Sequence, residues 1–261
     1  MRKGVTWGLT VLVAVFVGLF CYWKMAILPM GQSIPILCYH KISKDADKMS
    51  ISPERFRAQL AELKKMGYRT IHLGEAYGYW QSGESLPEGA LIITFDDGYR
   101  DNLLLAEPIL QEAGEKATVF LITKRVLRWD FLDWDEVRAL QKAGWEMGSH
   151  SWSHVDLTAR TDFHGEVEIR KSRLEIEKRS GGDAFWLAYP FGMWNEEAIR
   201  WAKESGYHGA VTTRIGFGGP EDGLFTLDRI PVIPNGLPAG IDMRLRLLRA
   251  EGIEFFRWLS R

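Results

Sequence analysis

The sequence predicts an α/β fold in which parallel strands alternate with helices that lie outside the sheet. Short, β-branched apolar runs alternate with amphipathic stretches roughly seven times along the chain. Polar and ionisable residues follow the carboxyl ends of the predicted strands, where parallel α/β folds place their active sites. With 261 residues and no internal repeat, the chain can form one large domain with a substantial core.

The N-terminal residues have the composition of a membrane segment. Arg2 and Lys3 precede an uncharged run from Gly4 to Trp23, which Lys24 closes. This run is long enough to span a bilayer as a helix, and the preceding basic residues favour a cytoplasmic N-terminus. We therefore predict that residues 1–30 form a single-pass anchor and that residues 31–261 form an extracytoplasmic domain. Secretion after cleavage of a signal peptide is the alternative, although no small-residue cleavage site follows the apolar run.

Charge and cysteine content limit the possible partners and cross-links. The net charge of −1 gives no electrostatic basis for a nucleic-acid partner, and no partner protein is evident from the sequence. Of the two cysteines, Cys21 lies in the apolar run and Cys38 in a predicted strand, so a disulfide between them is implausible. The domain must therefore be stabilised by its core.

The strands and helices are predicted from periodicity and from their end signals. The expected strands are 34–40, 68–73, 91–95, 116–122, 145–149, 185–189, 207–213 and 225–232. The expected helices are 52–66, 74–82, 102–113, 133–143, 163–179, 195–205 and 241–259, the second being either a short helix or a turn. The first begins with a Ser52 cap, Pro53 in the first turn and Glu54 near the positive end of the dipole. Residues 41–50 are expected to form a loop.

Two adjacent carboxylates end the strand 91–95. Asp96 and Asp97 precede Gly98, and two carboxylates in a partly dry site require a proton, a cation or a metal to neutralise one of them. An Asp-Asp-Gly turn without function is the alternative. A functional interpretation is favoured because His150 and His154 directly follow another strand of the same predicted sheet.

The two histidines have the spacing of metal ligands in a loop. In the segment His150-Ser151-Trp152-Ser153-His154, both imidazoles can turn toward one ion. One added carboxylate would give a set of two imidazoles and an aspartate with positions left open, which is typical of a catalytic rather than a structural zinc-type site. The alternative is a pair of hydrogen-bonded loop histidines.

These two segments together resemble a known family. Thr94–Gly98 with His150–His154 is similar to the signature of the polysaccharide deacetylases, also called the NodB-homology domain or carbohydrate esterase family 4. The resemblance extends over residues 34–232. It implies a distorted (β/α)7 barrel that removes N-acetyl groups from amino-sugar polymers with a divalent metal. By the same resemblance Asp96 is the general base, and the metal ligands are Asp97, His150 and His154.

A third segment resembles the family with one departure. Ala188–Gly192 is similar to the family's Arg-Pro-Pro-Tyr-Gly motif. This implies that the backbone N–H of Phe191 faces the oxyanion, and that Tyr189, Pro190 and Phe191 line the acetyl pocket. Ala188 stands where the family has the arginine that pairs with the base. We hypothesise that Arg229 replaces it, the alternative being that Arg229 is a surface residue.

The general acid and one wall of the groove are also displaced in sequence. No histidine follows His208, whereas the family places its acid near the C-terminus. His40 is the expected substitute, because the first and last strands of a closed barrel are neighbours; a histidine at the edge of the core is the alternative. This order resembles the circularly permuted branch that includes the poly-β-1,6-N-acetylglucosamine deacetylases. Trp134 closes an out-of-order match to the family's Asp-x-x-Asp-Trp motif and is a candidate groove wall.

The sequence thus predicts a metal-dependent hydrolase, anchored in the membrane, that removes N-acetyl groups from an extracellular or cell-wall polymer containing N-acetylglucosamine. Zinc is the expected metal, although the same ligands suit cobalt and nickel. One alternative is a carbohydrate-binding relative that has lost catalysis, for which the absent arginine is the only support. The other is a deacetylase of a non-sugar amide or an O-acetyl ester.

Overall fold

The computed structural model describes residues 32–45, 47–159 and 163–259. Within these ranges, no helix has both the length and the apolar character needed to cross a bilayer. The predicted anchor, residues 1–30, lies outside the described residues.

The centre of the domain is a closed barrel of parallel strands. In the described residues the strands are β1 (Ile36–Tyr39), β2 (Lys41–Ile42), β3 (Ser50–Ile51), β4 (Arg69–Thr70), β5 (Ala90–Phe95), β6 (Thr118–Leu121), β7 (Glu146–Ser149), β8 (Trp186–Ala188), β9 (Gly209–Ile215) and β10 (Leu227–Pro231). The strands β5 to β10 pair in sequence order, and β1 closes the ring by pairing with both β5 and β10. β4 adds to the start of β5. The seven-stranded parallel barrel confirms the expected (β/α)7 fold.

Helices surround the barrel and connect its strands. They are α1 (Pro53–Lys65), α2 (Leu73–Ser82), α3 (Glu107–Ala113), α4 (Trp134–Lys142), α5 (Phe163–Ser180), α6 (Glu196–Glu204) and α7 (Ala239–Leu259). Several of them begin with side-chain caps, and the first cap is the predicted Ser52. The Ser52 hydroxyl accepts a hydrogen bond from Arg55 N at 3.2 Å. Asp133 and Glu136 form a reciprocal capping box at the start of α4.

The predicted helix 102–113 is interrupted by a wide turn. Asn102–Ala106 is a π-helix in which Glu107 N donates to Asn102 O, and α3 follows it directly. Pro108 is the physical reason, because it has no N–H to donate to the preceding turn and its ring crowds the backbone there. The predicted loop 41–50 also differs in detail, since its ends form the short parallel pair β2–β3.

Alternation along the strands separates the inside of the barrel from the outside. The interior cluster combines inward-facing side chains of six barrel strands: Ile36, Ile92, Phe120, Trp186, Ala188, Val211 and Leu227. Their neighbours in sequence, such as Leu37 and Val119, face outward and pack against the helices. Near the carboxyl ends, the inward positions become polar and fully or almost fully buried, with Thr94, Asp96 and Arg229. The fold therefore gathers charge at one end of an otherwise apolar barrel.

Candidate active site

The predicted site residues meet at the carboxyl end of the barrel. His40 follows β1, Asp96 and Asp97 follow β5, and His150 follows β7. The sequence predicts each of these positions at or directly after the end of a strand. Because parallel strands end on the same side, their following residues share one face of the molecule.

Three side chains form a group with the chemistry of a metal site. The Oδ1 atom of Asp97 lies 3.8 Å from His150 Nε2 and 3.7 Å from His154 Nε2. The ligand atoms of all three residues lie within 4.8 Å of one another. Tetrahedral zinc ligands at normal bond lengths stand about 3.4 Å apart, so this spacing suits a divalent ion with little adjustment.

The hydrogen bond of His150 and the lowered pKa of His154 both favour coordination of a metal. His150 is buried, and its Nδ1 lies 2.7 Å from Ala188 O; as a donor to that carbonyl, it leaves the Nε2 lone pair directed at Asp97. Burial and the neighbouring His150 lower the pKa of His154, which keeps its imidazole neutral. Neutral imidazoles are the form that binds metals.

The loop that carries the histidines has an unusual backbone and a dedicated support. Ser151 and His154 have φ angles of 62° and 60°, which non-glycine residues adopt only when the surroundings require it. Glu168 on α5 accepts hydrogen bonds from Ser153 N at 2.8 Å and Ser153 Oγ at 2.6 Å. The Ser151 hydroxyl accepts one from His154 N at 2.9 Å. Sequence reasoning missed Glu168, because nothing in a charged helix marks one acid out from its neighbours.

Arg229 pairs with Asp96 in the buried part of the site. Its Nη1 and Nη2 each donate to one carboxylate oxygen of Asp96 at 2.7 Å. A third bond, from Arg229 Nε to Thr212 O at 2.7 Å, fixes the guanidinium. Both side chains are almost wholly buried, so the alternative of a surface arginine is wrong. β10 thus supplies the guanidinium partner of Asp96, which the alanine at position 188 cannot provide.

The pair determines the charge of Asp96. Burial acts to raise the pKa of Asp96, but the charge of Arg229 and the hydrogen bonds that Arg229 donates bring it well below its usual range. Asp96 is therefore ionised throughout the neutral pH range. Both carboxylate oxygens of Asp96 face Arg229. Asp96 therefore lies beside the metal-type cluster of Asp97, His150 and His154 without being part of it.

His40 lies next to Asp96 at the end of β1. Ligand atoms of His40, Cys38 and Asp96 lie within 4.8 Å of one another, and Cys38 Sγ is 3.5 Å from Asp96 Oδ2. His40 Nδ1 is buried and has no hydrogen-bond partner among the described residues. Burial lowers the pKa of His40, against the opposing influence of Asp96 and Asp97. Cys38 was not predicted here, since an apolar strand gives no sign of which residue faces the base.

Phe191 is the part of the third motif that reaches the site. Its ring is 60% exposed, and its centroid lies 4.6 Å from that of His154. Pro190 is buried in the short turn before it. Gly192 has a φ of 71°, and a Cβ at this position would lie 2.0 Å from Thr213 Oγ1. Only glycine therefore allows this turn to pack against β9.

Two residues predicted to line the pocket lie elsewhere. The Tyr189 side chain is fully buried and packs with Leu157, Ile169 and Trp201, because its strand position faces outward toward α5 and α6. Trp134 is 9% exposed and packs in the outer hydrophobic cluster at the start of α4. Neither ring is placed as a pocket or groove wall, so both predictions are corrected.

Comparison with known proteins places this site in a family. The family model for polysaccharide deacetylases matches residues 83–210. A Bacillus subtilis protein, YxkH, whose name assigns it to the polysaccharide deacetylases, is 31% identical over 201 residues, which are 77% of this chain and 72% of that protein. The chain belongs to the polysaccharide deacetylase family. It is accordingly a deacetylase, as the site residues predicted.

Further relatives place this deacetylase among several named enzymes. The poly-β-1,6-N-acetyl-D-glucosamine N-deacetylase of Staphylococcus aureus strain MRSA252 is 26% identical over 178 residues, which are 63% of this chain and 61% of that enzyme. The solved structure of the Streptococcus pyogenes deacetylase PplD superimposes with a TM-score of 0.76 and 27% identity, covering 85% of this chain and 99% of that one. The structure of IcaB from Ammonifex degensii, at 23% identity and a TM-score of 0.70, shares the fold.

Proposed function

We propose that this deacetylase uses a divalent metal to remove N-acetyl groups from an extracellular or cell-wall polymer that contains N-acetylglucosamine. The observation that carries the proposal is the adjacency of two groups. Asp97, His150 and His154 form a metal-type cluster, and Asp96, held by Arg229, lies beside it with His150 Nε2 only 4.0 Å from Asp96 Oδ2. A base next to a ligand set with open positions suits hydrolysis of an amide.

The residues of this chain divide the proton transfers between them. Asp96, which is ionised and does not belong to the ligand set, accepts the proton of the attacking water. His40, which follows the neighbouring strand β1, acts in its protonated form and gives that proton to the leaving nitrogen, becoming neutral as the amine departs. When bound by Asp97, His150 and His154, the metal supplies Lewis acidity to the acetamide carbonyl and to the water. The N–H of Phe191 is proposed to hold the developing oxyanion.

Arg229 has a restraining role in this scheme. It keeps the Asp96 carboxylate ionised and fixed in orientation, and it uses two of its donors on the carboxylate and one on the Thr212 carbonyl. This arrangement also answers the argument for a relative without catalysis, because that argument rested on the missing arginine.

Metal removal and one substitution test the mechanism. The full-length protein in detergent is treated with EDTA and then given zinc, cobalt or nickel, and acetate release from defined N-acetylglucosamine oligomers is measured. We expect activity to be lost with EDTA and restored by metal. Asp96→Asn should abolish turnover and leave the amount of bound metal unchanged. An active Asp96→Asn variant would show that Asp96 is not the base.

A substrate panel tests the class of substrate. The named relative in Staphylococcus aureus is a poly-β-1,6-N-acetyl-D-glucosamine deacetylase, which favours an amino-sugar polymer over a non-sugar amide or an O-acetyl ester. Mass spectrometry of β-1,6-linked and β-1,4-linked oligomers, an acetylated peptide and an O-acetylated sugar should show acetyl loss from the N-acetylated sugars first.

We also propose that residues 1–30 anchor the enzyme in the cell membrane with its catalytic domain outside. The support is the uncharged run from Gly4 to Trp23 with basic residues before it. Cell fractionation and protease treatment of intact cells test the proposal. The full-length chain should stay with the membranes and be degraded from outside, whereas recovery of a shorter chain in the medium would indicate a cleaved signal peptide.

A further inference from the structure

The loop between β6 and α4 presents the most exposed aromatic ring among the described residues. Trp129 is 85% exposed, and Leu127 nearby is 69% exposed. Single exposed apolar side chains are common on protein surfaces, but two of them within three positions of one loop favour a role in binding. At this exposure, most of the surface of the Trp129 ring is open to solvent.

The loop holds Trp129 in this position by regular hydrogen bonds. Arg128 N donates to Arg125 O at 3.0 Å, and Phe131 N donates to Arg128 O at 2.9 Å, so two consecutive turns flank the tryptophan. Leu127 N donates to Leu132 O at 3.0 Å. Leu127 also has a φ of 77°, a strained value for leucine. The exposure of the indole is therefore built into the loop.

The same loop packs directly on residues 98–100, which follow Asp97 of the metal-type cluster. Leu132 N donates to Gly98 O at 3.0 Å, and Arg100 Nη1 donates to Trp129 O at 3.2 Å. The ring of Phe131 stacks on Tyr99 with centroids 4.9 Å apart. Gly98 and Tyr99 directly follow Asp97, so the base of the loop lies beside the segment that carries this ligand candidate.

The neighbouring aromatic rings are already engaged. One side of Tyr99 is covered by Phe131, and Lys41 Nζ lies 4.8 Å from its centroid. Phe131 in turn has the Arg125 guanidinium 5.4 Å from its centroid. Tyr99 and Phe131 thus stiffen the base of the loop, and Trp129 is the ring left to meet a ligand.

We propose that Trp129 stacks against a sugar ring of the same polymer, next to the one that is deacetylated, and so gives the enzyme a preference for longer chains. The inference rests on the proposed function. The C–H face of a pyranose is apolar and flat enough to cover an indole, while its hydroxyl groups stay in water, which suits a tryptophan ring that is itself exposed to solvent. On this proposal, a monomer bound in the reaction centre leaves Trp129 uncovered, and replacing Trp129 should not affect its turnover.

Kinetics on substrates of different length test the proposal. The full-length protein, loaded with zinc, is compared with Trp129→Ala and Trp129→Phe on N-acetylglucosamine hexamers and on a small acetyl ester such as 4-nitrophenyl acetate. We expect Trp129→Ala to raise KM for the hexamer about tenfold with kcat within twofold, and to leave ester hydrolysis unchanged. Trp129→Phe should recover most of the hexamer affinity. Leu245→Ala, at an exposed site on α7, is the matched control.

Several outcomes of these measurements would overturn the stacking role of Trp129. An equal loss of activity on the hexamer and the ester overturns the proposal, and so does no change on either substrate. An unchanged KM for the hexamer, together with weaker binding to vesicles of phosphatidylglycerol, also overturns it and would assign the loop to a lipid surface. If the unsubstituted enzyme releases acetate from no amino-sugar oligomer, the proposed function itself fails, and this inference fails with it. Titration of hexamer into Asp96→Asn with and without Trp129→Ala gives the same comparison as a binding constant.

Discussion

At the scale of single residues, the pairing of Asp96 with Arg229 allows a carboxylate to be both buried and ionised. A carboxylate inside an apolar barrel is strongly destabilising alone, and a bidentate guanidinium offsets much of that cost. The same pairing lowers the affinity of Asp96 for a proton. The protein therefore gains a base that is always ionised, at the expense of its intrinsic basicity.

Replacing Arg229 should affect stability and the pH profile together. Arg229→Gln leaves the Asp96 charge without its partner, and we expect a loss of about 3–5 kcal/mol in the free energy of unfolding. Because Asp96 has a pKa below its ordinary value in the folded state, this pairing stabilises the protein above the ordinary aspartate pKa and is lost as pH falls. In the variant the pKa of Asp96 should rise, so activity should decline at a higher pH on the acid side.

Arg229→Lys is the control for that substitution. It keeps the charge but loses the bidentate geometry, so its acid limb in kcat/KM against pH should lie between those of the wild type and Arg229→Gln. An acid limb that does not move in either variant would contradict the assignment of Arg229 to the base.

Tyr189 offers a test of the corrected prediction. Its hydroxyl is buried without a hydrogen-bond partner among the described residues, and its ring is in the core. Tyr189→Phe removes that unsatisfied group, so stability should be unchanged or higher by about 1 kcal/mol, and kcat should be unchanged. Urea unfolding and deacetylation kinetics check both. A large loss of kcat with normal folding would return Tyr189 to the pocket.

At the scale of elements, the loop His150–His154 depends on a residue from a helix that carries no ligand. Glu168 binds the backbone and side chain of Ser153, immediately before His154. The positive φ of His154 is maintained only if this part of the loop is held from outside. Glu168 therefore acts on the metal site through Ser153.

Glu168→Gln should weaken metal binding. Gln offers one acceptor oxygen without charge, so we expect the affinity for zinc, measured by competition with a chromophoric chelator, to fall about 10-fold to 100-fold. Glu166→Gln is the matched control, since Glu166 lies on the same helix and forms an ion pair with Arg170 at 3.8 Å. Equal zinc affinities in all three proteins would rule out a role for Glu168 in positioning the loop.

The elements also show what the sequence could and could not supply. The alternation of strands and helices, the Ser52 cap and the convergence of Asp97 with the two histidines were predictable, because each rests on local periodicity or on a short motif. The π-helix at Asn102–Ala106, the outward rotation of Tyr189 and the contact between Glu168 and Ser153 were not. They depend on which side of a strand or helix packs against a distant element, and one sequence alone does not contain that information.

On the scale of the whole molecule, the two ends of the barrel carry acidic side chains with opposite shifts in pKa. Opposite the active site, Glu146 at the start of β7 accepts hydrogen bonds from Leu73 N at 3.1 Å, Gly74 N at 2.9 Å and Thr118 Oγ1 at 2.8 Å. It thereby joins the start of α2 to two barrel strands. Burial nevertheless raises the pKa of Glu146 to about 7, against the opposing influence of these bonds.

This glutamate predicts a pH-dependent stability. The folded protein holds a proton on Glu146 up to about pH 7, whereas the unfolded chain releases it near the ordinary glutamate pKa. The contribution of Glu146 to stability therefore falls as pH rises through this interval. Glu146→Gln should be less sensitive to pH between 5 and 8 in urea unfolding, and Glu88→Gln, at an exposed turn, should match the wild type. Parallel curves for all three proteins would contradict the assignment.

The position of Arg229 has a consequence for biosynthesis. Asp96 leaves the ribosome 133 residues ahead of the arginine that neutralises it. That arginine lies on β10, and the pairing of β10 with β1 completes the ring of strands. A nascent chain that has emerged only as far as β9 holds an orphan carboxylate in an open sheet. Catalytic competence is therefore acquired in one late step, and a prematurely terminated product would be both inactive and a target for proteolysis.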